Sequence, residues 1–282
     1  PLHNLQGIVT FGYTGASPAL MGACAERNIE LTFMSGNGRF LARVTGEVKG
    51  NVILRKQQYR ISENPYESIC YARNFITGKV YNSRWILERA IRDYPMRVDT
   101  ERLKEKSHFL YQSLENIRSC EDSSILLGLE GEAASVYFSV FDELILQQKD
   151  SFYFHGRNKR PPLDRVNAML SFAYSLLAGM CGSALEGVGL DPYVGFYHAD
   201  RPGRISLALD LMEELRGVMA DRFVLTMINK RVMKEIHFIE KEDGAVLLND
   251  AGRKVFLSAW QERKQEMIRH PFLNEKLEWG MI

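Results

Sequence analysis

The chain has 282 residues, 45% apolar and 25% charged, with a net charge of +1. That length predicts about two domains, the composition excludes disorder, and the charge gives no global case for nucleic-acid binding. No unbroken apolar run reaches the roughly 18 residues that cross a bilayer.

The first 45 or so residues read as β-rich. Ile8, Val9, Thr10 and Phe11 form a β-branched run, and Ser17-Pro18 opens a short helix with Ser as N-cap and Pro at its first position. Residues 29–33 and 40–44 are predicted to form a hairpin about Ser35, Gly36, Asn37 and Gly38. That glycine-rich turn lacks the Gly-Lys-Ser/Thr ending of a phosphate-binding loop. The chain starts at Pro1 in what reads as the middle of a folded segment.

After Gly50 the apolar period becomes helical. Helices are expected over 51–60, 65–77, 82–93, 99–118, 123–147, 164–187, 206–220 and 249–269. The most apolar stretch, 168–190, is interrupted by Ser171, Ser175, Gly179, Gly182, Ser183 and Glu186 and reads as a buried helix. A small hairpin is expected at 236–239 and 245–248, and a basic linker ends in Pro161-Pro162. The fold class is therefore α+β: a partial N-terminal β domain over 1–48, a linker and first helix over 49–62, and an α-helical catalytic domain over 63–282.

Cys24, Cys70, Cys120 and Cys181 include no Cys-x-x-Cys pair, which argues against a zinc ribbon and for reduced, buried thiols of a cytoplasmic protein. Thirteen Lys/Arg face seven Asp/Glu between residues 49 and 106, whereas 121–150 holds seven acids and one Lys. Such blocks are ordinary on solvated helix faces.

Three stretches carry chemistry. In GLDPYVGFYHADRPGRISLALDLMEELR (189–216), His198 precedes a Gly/Pro turn and a helix with Asp210 and Glu213 about 60° apart at roughly 100° per residue. No Lys or Arg is read on that acidic face, and Gly217 leaves it open to a close approach. Either it is a solvated face or it is half of a divalent-metal site, for which oxygen donors and one imidazole suit Mg²⁺ or Mn²⁺. In LLGLEGEAASVYF (126–138), Glu130 lies in an apolar helix and needs a partner: an ion, or a buried Arg. Glu132 points away and is expected to be solvated. The third stretch is KRPPLDRVNAMLSFAYSLL (159–177).

Together these stretches resemble the CRISPR-associated adaptation integrases, the Cas-one family, through the order Glu, Arg-Pro-Pro-x-Asp-x-x-Asn-Ala-x-Leu-Ser, His, acidic helix. The resemblance covers most of the chain and implies strands before it and a tail after it. It implies a DNA endonuclease and integrase that inserts short fragments into a repeat array by transesterification. The metal ligands it implies are Glu130, His198 and Glu213, with Asp210 either a second acid or an outer group. Asp164 and Asn167 are expected to support the ligands. Arg73, Lys79, Arg84, Arg201, Arg204, Arg253 and Lys254, with Arg89, Arg263 and Lys264, are candidates for DNA phosphates. The implied cofactor is Mn²⁺ or Mg²⁺. The implied partners are duplex prespacer and repeat DNA, a second copy of the chain, and a small ferredoxin-like protein, Cas-two, with no membrane. A non-catalytic DNA-binding scaffold and a small-molecule phosphoesterase are the competing readings.

Overall fold

The computed structural model describes residues 2, 5, 7–27, 29–36, 40–44, 46, 51–269 and 275–279. His3, His270, Lys49 and, of the first predicted turn, Asn37 and Gly38 lie outside them.

The chain opens on β1 (Gly7–Phe11), α1 (Pro18–Glu26), β2 (Glu30–Met34) and β3 (Phe40–Val44). The β2–β3 hairpin forms with Leu31 opposite Val44. The first strand, however, runs parallel to β2, with Gly7 opposite Glu30, so α1 is the crossover of a small βαβ unit. Ser17 caps α1 by accepting from the Leu20 N–H. Cys24, Ile29 and Leu31 form a minor core beneath this sheet. Phe11 reaches past it to Phe172, and Arg43 pairs with Glu186, which seats the sheet on the helical body.

That body comprises α2 (Val52–Glu63), α3 (Pro65–Asp93), α4 (Thr100–Ser119), α5 (Ser123–Phe138), α6 (Arg165–Gly187), α7 (Ser206–Leu215) and α8 (Arg222–Asn229). A hairpin, β4 (Phe238–Glu240) with β5 (Val246–Leu248), precedes α9 (Asp250–Gln265), and β6 (Met267–Arg269) pairs with β7 (Lys276–Glu278). Fourteen residues of α6 are buried, so a helix apolar and long enough to cross a membrane is the central rod of the core. Strands at the front followed by a helical body make the fold the expected α+β arrangement.

Four expected boundaries move. The helices expected at 65–77 and 82–93 are one 29-residue helix, α3. Gly78 does not break it but lets Glu214 pack against it, where a Cβ would lie 2.7 Å from the Glu214 Cγ. Helix α5 ends at Phe138 instead of 147; a 3-10 turn over Phe141–Leu144 follows, and Asn229 then holds the chain through the Leu146 N–H at 2.7 Å and the Leu144 carbonyl at 2.9 Å. The helix expected to 269 stops at Gln265, where β6 begins. Finally, α7 does not continue regularly to 220. A π-helical turn over Arg216–Asp221 joins it to α8, and one extra residue in a turn rotates the helix beyond it by about 100°.

That rotation drives Asp221 into the core, away from the face it shares with Asp210 on a regular helix. Its carboxylate accepts from Tyr174 Oη at 2.5 Å and Tyr137 Oη at 3.1 Å. Burial pushes its pKa up to about 6, opposed by Tyr174 and Arg216. Of the cysteines, Cys24, Cys120 and Cys181 are buried as expected, but Cys70 is exposed because it lies on the outer side of α3.

An acid whose pKa is raised on folding keeps its proton in the folded state where the unfolded chain has lost it. Stability therefore falls as pH rises between about 4 and 6, with the full cost present above that window. Asp221→Asn removes this slope. Its stability relative to the parent should rise by about 2 kcal/mol from pH 4 to pH 7, measured by urea unfolding at each pH. Parallel curves would contradict the assignment.

Candidate functional site

The segment between α6 and α7 is a backbone loop fixed by helices that precede it in sequence. Gln58, on α2, donates to the Asp191 and Val194 carbonyls at 2.8 and 2.9 Å and accepts from the Asp191 N–H. Ser68, on α3, donates to the Phe196 carbonyl at 2.8 Å. From α7 the fully buried Asp210 closes the loop: its carboxylate accepts from the backbone N–H of Phe196, Tyr197 and His198 at 2.7, 2.9 and 2.9 Å. The same carboxylate takes Nδ1 of His198 at 2.7 Å. A carboxylate only accepts, so Nδ1 carries the proton and Nε2 is the nitrogen left for a ligand. Gly195 permits this closure, since a Cβ there would lie 2.8 Å from the His198 carbonyl oxygen and 3.0 Å from Asp210.

One turn along α7, Glu213 is also buried, with 4% of its side chain exposed. Arg216 binds its Oε1 at 2.7 Å, and the ammonium of Lys79, from α3, lies 2.7 Å from its Oε2. That second oxygen has no hydrogen bond of good geometry. Lys79 also pairs with Glu130 of α5, so one ammonium stands between two carboxylates from different helices. The Tyr197 hydroxyl approaches Glu130 at 3.5 Å. Burial and then the Glu130 charge raise its pKa above the usual phenol range. Burial alone would raise the Glu213 pKa, but Arg216, Lys79 and His198 more than offset it and hold the carboxyl below its ordinary value.

A positive rim surrounds these acids. Arg216 and Arg157 lie over the Tyr174 ring at 4.7 and 5.2 Å. Lys159 has its pKa lowered by partial burial, then by Arg216, Arg157 and Lys79. The loop carrying Lys159 is pinned by Asp164 and Asn167. Asp164 caps α6 at the Asn167 N–H (2.7 Å), and the Asn167 side chain takes Arg157 at 2.6 Å and the Gly156 carbonyl at 2.8 Å. These two residues hold that loop against the start of α6.

Three sequence expectations need correction. The acidic face of α7 is not solvated, and its acids are balanced by Arg216 within the same run and by Lys79 across from it. Glu130 meets a lysine, where the sequence anticipates an ion or an arginine. Lys79 is buried between the two glutamates, where the sequence reads it as one cation of a basic block. Several other cations are committed within the fold. Arg73 donates to the Arg118 and Cys120 carbonyls at the end of α4. Arg84 lies over Trp85 and Tyr111 and pairs with Glu88. Arg89 and Arg263 pair with Asp93 and Glu266. Arg253 pairs with Asp250 and lies over Phe11. Arg201 and Lys254 are exposed and Arg204 partly so. Glu132 is exposed, as expected.

Among the described residues no three His, Cys, Asp or Glu side chains already stand in a metal-ligating arrangement. Lys79 occupies the space between the two glutamates. The donors nevertheless suit a hard divalent ion: two carboxylates, one of them with a buried oxygen lacking a well-formed hydrogen bond, and an imidazole oriented by a buried aspartate.

Asp210→Ala removes the acceptor of three backbone N–H groups at once. It should cost about 3 kcal/mol or more in urea unfolding, whereas His198→Ala, which leaves those three bonds intact, should cost less than half as much. Equal losses would show that the carboxylate does not organise the loop.

The fold and sequence have known relatives. The family model described as CRISPR associated protein Cas1 matches residues 1–262. A protein named CRISPR-associated endonuclease Cas1 1, from Chlorobaculum tepidum, is 48% identical over 282 residues, covering 100% of this chain and 82% of the relative. Among solved structures, a casposase bound to integration product superposes with a TM-score of 0.85 at 24% identity, over 99% of this chain and 75% of the other. A Cas6-RT-Cas1–Cas2 complex gives 0.78 at 21% identity, over 99% of this chain and 30% of the other. The match to the family model and the relative nearly half identical along the whole chain establish that this chain belongs to the CRISPR-associated Cas1 family.

Proposed function

We propose that the chain is a metal-dependent DNA endonuclease and integrase of CRISPR adaptation. The observation that carries this reading is that Glu130 and Glu213, from different helices, meet at one ammonium, with the Asp210-oriented His198 near enough to act on the charge of Glu213 and with cations around them. Acids at the bottom suit a divalent ion, and arginines and lysines at the rim suit a phosphate backbone. Relatives named as Cas1 endonucleases support the nuclease activity, and the shared fold of a casposase bound to integration product supports strand joining.

In this reading Glu130, His198 and Glu213 hold Mn²⁺ or Mg²⁺, with Asp210 behind the histidine. When bound, such an ion lowers the pKa of a hydroxyl and shields charge building on the phosphorus. The chain's own residues do the rest. Asp210 keeps the imidazole proton on Nδ1 and the ring in place, and Arg216 fixes one oxygen of Glu213. Lys159, with Arg201 and Arg204 on the loop after His198, meets the phosphates of the bound strands. The 3′-hydroxyl of a short duplex attacks a phosphodiester of the repeat. Its oxygen–phosphorus bond forms as the bond to the leaving 3′-oxygen breaks, and the proton lost by the first oxygen is matched by one gained at the second.

The working assembly pairs two copies of the chain with a small ferredoxin-like Cas2 partner in the cytoplasm, in line with the Cas1–Cas2 complex that shares the fold. The competing scaffold reading requires a solvated acidic face, and the burial of Asp210 and Glu213 removes that support.

Glu130→Ala and His198→Ala should each lower Mn²⁺-dependent cleavage and strand joining by about a hundredfold or more, while circular dichroism and duplex binding change little. Unaltered turnover in both variants would refute the catalytic assignment. Duplex binding itself should weaken with salt, with log Kd linear in log salt concentration, because neutralised phosphates release counterions. A flat dependence would exclude a phosphate-binding surface.

A further inference from the structure

Lys79 stands where an ion shared by the two glutamates would stand. Its ammonium pairs with Glu130 and lies 2.7 Å from Glu213 Oε2, with only 11% of the side chain exposed. Lys79 lies on the buried stripe of α3, with Ile76, Val80 and Ser83. An ion ligated by both carboxylates requires metal–oxygen distances of about 2.0–2.2 Å, and so requires the volume that the ammonium fills. The charges argue the same way. Glu130 and Glu213 supply two negative charges, and Lys79 and Arg216 supply two positive ones. A divalent ion added beside both cations would set three positive groups against the two glutamates in a poorly solvated place, with the Asp210 carboxylate already committed to His198 and its loop, which is costly. Of the two cations, Arg216 is the worse candidate to leave, since it lies over Tyr174 as well as on Glu213. Lysine is a compact charge on a flexible four-carbon stem, able to swing aside without moving its helix.

We infer that Lys79 is a resident counter-ion that holds Glu130 and Glu213 together in the metal-free protein and must withdraw for a divalent ion to enter, so that metal binding is a displacement. The inference rests on the reading of Glu130, His198 and Glu213 as metal ligands, and it adds a residue that sets how tightly the site is loaded. The carboxylates stay paired in the absence of metal, and metal affinity is lower for it.

The test is Mn²⁺ titration calorimetry on the full chain, with thermal unfolding of the same samples. Lys79→Met removes the charge but keeps the length, and Lys79→Gln retains a donor for one carboxylate in case the methionine variant folds poorly. Both should bind Mn²⁺ with a Kd lowered about tenfold or more, in line with the effect of removing a neighbouring like charge. Both should melt lower than the parent without metal and gain more from Mn²⁺. A Kd that is unchanged or raised in both variants would overturn the displacement. Glu130→Gln and Glu213→Gln separate the two levels. If they abolish binding while the Lys79 variants fail to tighten it, the ligand reading stands and the counter-ion role falls. If they leave parental Mn²⁺ binding intact, the ligand reading falls and the counter-ion role with it.

Discussion

Every carboxylate buried at this site has to be compensated, and for Glu213 the compensation is a pair of cations. Transfer of a lone carboxylate to a low-dielectric interior costs several kcal/mol even after relaxation, comparable with the whole stability of a domain. The fold answers with Arg216 on one oxygen and Lys79 on the other. Much of the architecture serves to deliver those two cations. The long α3 runs unbroken past Gly78 so that Lys79 arrives opposite α7. The π-helical turn after Leu215 opens the helix where Arg216 reaches back to Glu213 and where Asp221 turns toward Tyr137 and Tyr174.

The acids then sort into roles by their partners. Asp210 commits its lone pairs to three backbone N–H groups and the His198 ring, so it is structural and orienting. Glu213 and Glu130 share the Lys79 ammonium, with Glu213 Oε2 lacking a well-aligned donor. Asp221 is sealed by two phenols beneath the site. Three acids within a dozen residues of one another thus have three different tasks, and distance along the chain does not distinguish them.

Much of this is legible in the sequence. The front hairpin, the cap at Ser17, the buried nature of α6 and the family itself follow from local patterns and motif order. That Asp210 and Glu213 share one side of α7 follows from helix geometry. The features that escape a reading of the sequence are those that depend on packing between distant segments. Along the chain Lys79 reads as a surface cation within a basic block, although it falls on the apolar stripe of α3 with Ile76, Val80 and Ser83, and a lysine in such a stripe is a signal of a buried partner. Arg216, three residues beyond Glu213, is equally available as an intrahelical partner. The π turn leaves no compositional mark, so a regular wheel assigns Asp221 to the wrong side. Gly78 splits one helix into two on paper, because a glycine that admits a neighbour and a glycine that ends a helix look alike in one dimension. Tyr197, beside the expected histidine, gives no sign that its hydroxyl reaches toward Glu130.

The central claim is that Glu130, His198 and Glu213 form one ion site with Asp210 outside it. Diffraction from crystals grown with Mn²⁺, collected at the manganese absorption edge, tests it most directly. The predicted result is a single anomalous peak bonded to Glu130, Glu213 and His198 Nε2, with Asp210 still on Nδ1. A peak ligated by Asp210 in place of Glu213, or no peak between these side chains at saturating Mn²⁺, would contradict it.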